Sequence, residues 1–216
     1  MNKKQIIRKT EEFVKKNMKG DVGHDFFHIE RVRRNALHIG KKEKADLLVV
    51  ELGALLHDVA DFKFHGGDDK ASGRVTKQLL SGLKADPGII DRIIHIVDNV
   101  SFKGAKVKSK MRSLEGKIVQ DADRLDALGA IGIARNMVYA GYMKLPIYDP
   151  YKKPVLHKSF ESYKKNESSG IIHFYEKLLL LKNLMNTKTG KELAIRRHKF
   201  MEQYLKEFFA EWKGIQ

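Results

Sequence analysis

Cysteine is absent from this 216-residue chain, which excludes thiol catalysis, disulfides, zinc ribbons and iron–sulfur clusters together. Any metal must be held by histidine nitrogen and carboxylate oxygen. Long apolar runs are missing as well, and no stretch approaches the roughly 18 apolar residues that a membrane span needs. The N-terminal segment MNKKQIIRKTEEFVKKNMKG is charged throughout and has no apolar core of signal-peptide length, so a cytoplasmic protein is expected. Proline occurs only four times, strand signals are scarce, and neither an internal repeat nor a low-complexity tract is found. What remains is a chain with 42% hydrophobic and 32% charged residues, the balance of a folded protein. It is long enough to bury a substantial core without covalent staples.

Acidic residues are in deficit. Lysine and arginine number 42 against 27 aspartates and glutamates, a formal net charge of +15, and a surface of that sign attracts anions. Nucleotides, phosphorylated metabolites and nucleic acid all qualify. Nucleic acid is disfavoured because no zinc finger, RNP-like aromatic strand or helix-turn-helix signature accompanies the charge.

Apolar spacing predicts helices over about 4–18, 24–39, 42–59, 70–81, 87–98, 114–140, 160–185 and 190–212. Segments 61–69 and 101–112 read as loops, and Pro146, Pro150 and Pro154 mark an irregular excursion. An all-α helical bundle is favoured over an α/β fold. Tyr139, Tyr142, Tyr148 and Tyr151 surround the excursion and either pack it onto the core or rim a pocket, Tyr148 and Tyr151 being the better rim candidates. The C-terminal FFAEW reads as core or as a homodimer contact.

Three clusters carry chemistry. In ELGALLHDVADF, an apolar helix face ends in His57-Asp58. Consecutive helical residues point about 100° apart, so a metal beside the helix can take an imidazole nitrogen and a carboxylate oxygen from both. Asp61 follows at the spacing that returns to the same face. A histidine that merely favours a helix C-terminus explains the pair equally well. In GHDFFHIERVRRNA, His24 and His28 share a face, and His28 leads the stripe continued by Val32 and Ala36. A hydrogen-bonded core histidine is the alternative for His28, and a helix-start or supporting role suits His24. In KIVQDADRLDALGAIGIAR, Asp121, Asp123 and Asp126 crowd an apolar helix. A buried carboxylate costs several kcal/mol unless it is paired or binds a metal. An N-cap, or a pair with Arg124 or Arg135, is the bland reading for Asp123.

The ordered set His28, His57-Asp58 and Asp123 resembles the H…HD…D signature of the HD-domain metal-dependent phosphohydrolases, and is most similar to a bacterial stand-alone subgroup around GHDFFHIERV, LLHDVADFKF, NVSFKG and DADRLDALGAIGIAR. The resemblance implies an HD-domain helical bundle. It implies one domain over 1–216, with a metal-binding core at about 20–140 and C-terminal helices at 160–214 packing on it. It also implies that His28, His57, Asp58 and Asp123 bind one divalent metal. Two imidazoles and two carboxylates suit Mn²⁺ first, then Fe²⁺, Co²⁺, Ni²⁺, Zn²⁺ or Mg²⁺. A bound metal would lower the pKa of a water, orient a phosphate and offset developing charge.

Asp61 is the candidate catalytic base or water-orienting residue, matching an acidic position at which related nucleotidases carry glutamate. Lys63, His65, Lys77, Asn99, Ser101, Lys103, Arg124, Asp126 and Arg135 are candidates for contact with substrate or its phosphates. Asp126 would hold a ribose hydroxyl or fix an arginine. The expected reaction is pyrophosphate release from nucleoside or deoxynucleoside triphosphates. A phosphomonoester or phosphodiester substrate is the alternative.

Overall fold

In the computed structural model, residues 1–18, 25–59, 70–156, 161 and 168–215 are described. Among these there is no strand, and no helix is long and apolar enough to cross a membrane. The chain divides into two compact units, the first comprising Met1–Phe102 with Ser109–Asp123, the second Lys103–Lys108 with Arg124–Gln216.

The first unit is organised by composition. Helix α3 (Leu47–Leu56) is almost wholly apolar, LLVVELGALL, and buries eight of its ten residues. A helix hydrophobic all round must be surrounded, and α1 (Lys3–Asn17), α2 (Phe26–Lys42) and α5 (Pro87–Asn99) pack against it. Helix α4 (Ala71–Gly82) packs on α5. Gly53 of α3 makes this crowding feasible, because a β-carbon there would stand 3.2 Å from Ile96 and 3.3 Å from Val119. Three helices are tied by one guanidinium. Arg33 of α2 donates from Nε to Glu51 of α3 at 2.9 Å and from Nη1 to Glu11 of α1 at 2.9 Å.

Capping sets the helix starts. Asn2 and Gln5 form a reciprocal capping box on α1, Asp46 caps α3, and Asp86 caps α5 with Pro87 in the first turn. Helices α2, α4 and α7 (Gly129–Tyr142) end alike, with Lys44, Lys84 and Lys144 at φ near +55°. Each end is closed by a backbone bond from the following residue to the last turn: Ala45 to Gly40, Ala85 to Leu80, Leu145 to Ala140. This closure usually employs glycine; here the chain break falls between α2 and α3, where helix was expected from residue 42.

The single helix expected over 114–140 is two. Helix α6 (Leu114–Asp126) stops, Leu128 is extended, and Gly129 opens α7 at φ +72°, a conformation that costs an L-residue roughly 1–2 kcal/mol. The Ala127 carbonyl folds back to 2.3 Å from where a Gly132 β-carbon would lie, so this corner requires both glycines. The apolar rhythm runs through the corner and hides it from a periodicity reading. The helix expected over 160–185 is likewise interrupted. Ser169 caps a new helix α8 (Gly170–Glu176), Lys177 leaves helical geometry, and Leu178–Leu184 is a 3₁₀ segment.

Helix α9 (Lys188–Trp212), capped by Thr187, completes the second unit and packs on α7 and on the 3₁₀ segment. Tyr148 stands edge-on to Phe208, Phe209 and Trp212, which makes it a packing residue of the excursion. Tyr151 is 94% exposed.

Candidate metal centre

Three elements of the first unit converge on one point. Asp25 precedes α2, and its carboxylate accepts from the His28 backbone N–H at 2.7 Å. The cap satisfies one orphan donor of the helix and holds His28 in the first turn. His57 is the residue on which α3 ends. Its Nδ1–H donates to the Ala54 carbonyl at 2.8 Å, one of the acceptors that a helix C-terminus leaves without an intrahelical partner. With Nδ1 bound to that carbonyl, Nε2 of His57 faces the cluster. Asp58 follows directly, and Asp123 arrives from α6.

His28 Nε2 and His57 Nε2 are 3.2 Å apart. Asp58 Oδ2 lies 3.4 Å from the first and 3.5 Å from the second. Asp123 Oδ1 lies 3.6 and 3.9 Å from the same two nitrogens. Ligand atoms bound at about 2.1 Å to one ion are about 3.0 Å apart at right angles and about 3.4 Å apart in a tetrahedron. The observed separations fall at and slightly beyond those values.

His28 and His57 are buried to within a few per cent, whereas Asp58 and Asp123 retain partial exposure on one side. The donor set is therefore anchored inside and open towards solvent. Two imidazole nitrogens and two carboxylates so arranged could hold a divalent cation, whose hard-to-intermediate chemistry they suit. His28, His57 and Asp58 form the tightest triad, with ligand atoms all within 4.8 Å of one another.

The other sequence candidates sort differently. Asp61, Lys63 and His65 lie outside the described residues, as does His24. Lys77 is exposed on α4, and Ser101 is exposed beyond the end of α5. The Asn99 amide donates to the His95 carbonyl of its own helix at 2.8 Å, while its own carbonyl accepts from Gln120 at 3.2 Å. In the second unit, Lys103 is half-buried. Arg124 is buried and donates to the Leu184 carbonyl. Arg135 pairs with buried Asp126 at 2.8 Å, so Asp126 fixes an arginine, one of its two expected roles. Two supporting groups escaped the sequence reading: the Asp25 cap and the Ala54 carbonyl. The first had a local signal, an aspartate three residues before His28 at a helix start; the second needs the helix end located to within a residue.

The HD domain model matches residues 25–128. The Bacillus subtilis protein YpgQ is 41% identical over 195 residues, covering 89% of this chain and 86% of YpgQ. A crystal structure of YpgQ in complex with ADP superposes with a TM-score of 0.77 at 36% identity, over 98% of this chain and 97% of that one. A Lactobacillus plantarum protein gives a TM-score of 0.87 at 36% identity over 99% and 100% of the two chains. An HD-superfamily hydrolase from Bacillus thuringiensis gives 0.76 at 38% identity over 98% and 99%.

Proposed function

Because this chain belongs to the HD-domain phosphohydrolase superfamily, we propose that it is a nucleotide pyrophosphohydrolase whose single divalent metal, Mn²⁺ by preference, is held by His28, His57, Asp58 and Asp123. The observation that carries the proposal is the convergence of four side chains from three separate segments, with ligand atoms 3.2 to 3.9 Å from the imidazole nitrogens. A metal held there would supply a water of lowered pKa and positive charge for the phosphate oxygens.

The rest falls to the chain. The Ala54 carbonyl accepts from His57 Nδ1 and so fixes the orientation of the ring. Partial exposure of Asp58 and Asp123 leaves the side from which a phosphate enters. Asp61 orients the attacking water and takes its proton as the water oxygen bonds to the α-phosphorus. The bond between that phosphorus and the α–β bridging oxygen breaks, and pyrophosphate leaves with the bridging oxygen. A nucleotide substrate is supported by the ADP bound to YpgQ and by the net charge of +15, which draws in polyanions. A cytoplasmic location accompanies a substrate of this kind.

The test is product analysis. Protein stripped of metal and reloaded with Mn²⁺ is incubated with ribo- and deoxyribonucleoside triphosphates, beside the Asp123→Ala variant, and products are resolved by ion exchange. Nucleoside monophosphate with pyrophosphate, lost in the variant together with bound Mn²⁺, is the expected result. Orthophosphate as the sole inorganic product, or no turnover of any triphosphate, overturns the substrate assignment. Undiminished Mn²⁺ in the variant overturns the ligand assignment.

A further inference from the structure

Helix α1 supplies none of the four metal-binding candidates, yet it reaches the turn that carries one of them. His28 stands in the first turn of α2, where backbone N–H groups lack intrahelical partners and helices fray. The Asp25 cap holds the backbone there. A second restraint comes from outside the helix: the Lys15 ammonium of α1 lies over the Phe26 ring, 4.7 Å from its centroid. Phe26 is half-buried and is the residue on which α2 begins, two before His28. A cation over an aromatic face is attracted by the quadrupole of the ring, so this contact ties the first turn of α2 to a neighbouring helix.

Lys15 is itself held in place. Glu11, one turn earlier on α1, accepts from its ammonium at 2.7 Å and from Arg33 Nη1 at 2.9 Å, while Arg33 Nε donates to Glu51 of α3 at 2.9 Å. A continuous series of charged contacts thus runs from α3 through Arg33, Glu11 and Lys15 to the Phe26 ring. Apolar packing of α1 is thin by comparison. Only Ile6, Thr10 and Val14 of the helix are buried, and the Thr10 hydroxyl finds no hydrogen-bond partner among the described residues, which opposes docking rather than favouring it. The charged contacts are therefore what places Lys15 over the ring.

We propose that Lys15 is a positioning residue for the metal centre: seated by Glu11, it clamps Phe26, holds the first turn of α2 against fraying, and so keeps His28 Nε2 at the cluster. This rests on the reading of His28 as a metal ligand. Charge by itself acts with the opposite sign. An ammonium near a cation site repels the ion, so its removal tightens Mn²⁺ binding if Lys15 contributes charge alone, and loosens it if Lys15 is a clamp.

The experiment is calorimetric titration of the metal-free full chain with Mn²⁺, with circular dichroism to establish that each variant is folded at the titration temperature. Lys15→Met should raise the Kd about threefold to tenfold, the range of a single cation–π contact, and Lys15→Arg, which keeps a cation over the ring, should return it to within about twofold of wild type. Phe26→Leu should match Lys15→Met, and the double variant should be no weaker than either single one, because both remove the same contact. Arg8→Met removes a positive charge from the outer face of α1, where Arg8 pairs with Glu12 at 3.8 Å, and should leave the Kd no higher than wild type. A Lys15→Met Kd at or below the wild-type value, a Lys15→Arg variant as weak as Lys15→Met, additive losses in the double variant, or an equal loss in Arg8→Met would each overturn the inference alone. Mn²⁺ binding that survives Asp123→Ala undiminished would overturn the ligand assignment, and the inference with it.

Discussion

Replacing Asp123 with asparagine should have opposite effects on the metal-free and the Mn²⁺-loaded protein. Asp58 and Asp123 each have an oxygen within 3.6 Å of His28 Nε2, which keeps the two carboxylates within about 7 Å of each other. At that distance two negative charges repel by about 0.6 kcal/mol in bulk water and about 2.4 kcal/mol at an effective dielectric constant of 20. Asp123 is 29% exposed, so a value near 1 kcal/mol is appropriate. The metal-free variant should therefore melt about 2–4 °C above the metal-free wild type.

Loaded protein behaves the other way. An ion present at 100 times its Kd stabilises the folded state by about 2.7 kcal/mol, which raises the melting temperature of a chain this size by about 5–11 °C. Asp123→Asn should lose most of that rise, because a carboxylate ligand and its charge are gone. Thermal unfolding by circular dichroism, in chelator and then with Mn²⁺ titrated in, reads both effects from the same samples. A variant that keeps the full Mn²⁺ shift removes Asp123 from the ligand set. A metal-free variant that melts below wild type refutes the picture of a cation-binding cluster and makes Asp123 an ordinary stabilising residue.

Two further outcomes follow from packing and charge. Gly132→Ala drives a β-carbon to 2.3 Å from the Ala127 carbonyl, a backbone group that cannot swing aside, and should cost about 2–4 kcal/mol, whereas Gly82→Ala, with nothing within 4 Å, should raise stability by up to about 1 kcal/mol; urea denaturation distinguishes the signs. The Lys15 ammonium at 2.7 Å, with Arg33 beside it, holds the Glu11 carboxyl below its ordinary value against an opposing effect of burial. A lowered folded-state pKa gives stability that is fully present above the unfolded carboxylate value and is lost as pH falls through the folded one. The stability difference between wild type and Glu11→Gln should thus be constant above about pH 5, at no more than about 1 kcal/mol, and shrink at lower pH; a difference that grows on acidification would reverse the assignment.

Legibility tracked the range of the interaction. The start of α5 could be read because its cause is local: Pro87 stands in the first turn, and the Asp86 cap lies within a turn of the group it satisfies. The H…HD…D order was legible through its resemblance to a known family. Beside it, ionisable residues embedded in apolar helices are costly, so those in ELGALLHD and QDADRLDAL called for a partner or an ion. The corner at Ala127–Gly129 was illegible because apolar spacing continues through it. Its cause, a carbonyl folded onto Gly132, depends on a backbone path that periodicity does not encode.

Composition and pattern alone determined that this chain would be helical, cysteine-free in its chemistry, basic, and equipped with histidines and aspartates in the order of a metal-dependent hydrolase. Those properties belong to single residues and to neighbours within one or two turns. Only tertiary structure decided that carboxylate oxygens of Asp58 and Asp123 come within 3.9 Å of the His28 and His57 ring nitrogens, and that Arg135 spends its charge on Asp126 and Arg124 its donor on Leu184. Each of these turns on which distant segment arrives where. That is settled by how apolar faces pack around α3 and α9, and a cation among 42 carries no local mark of the acceptor it will find.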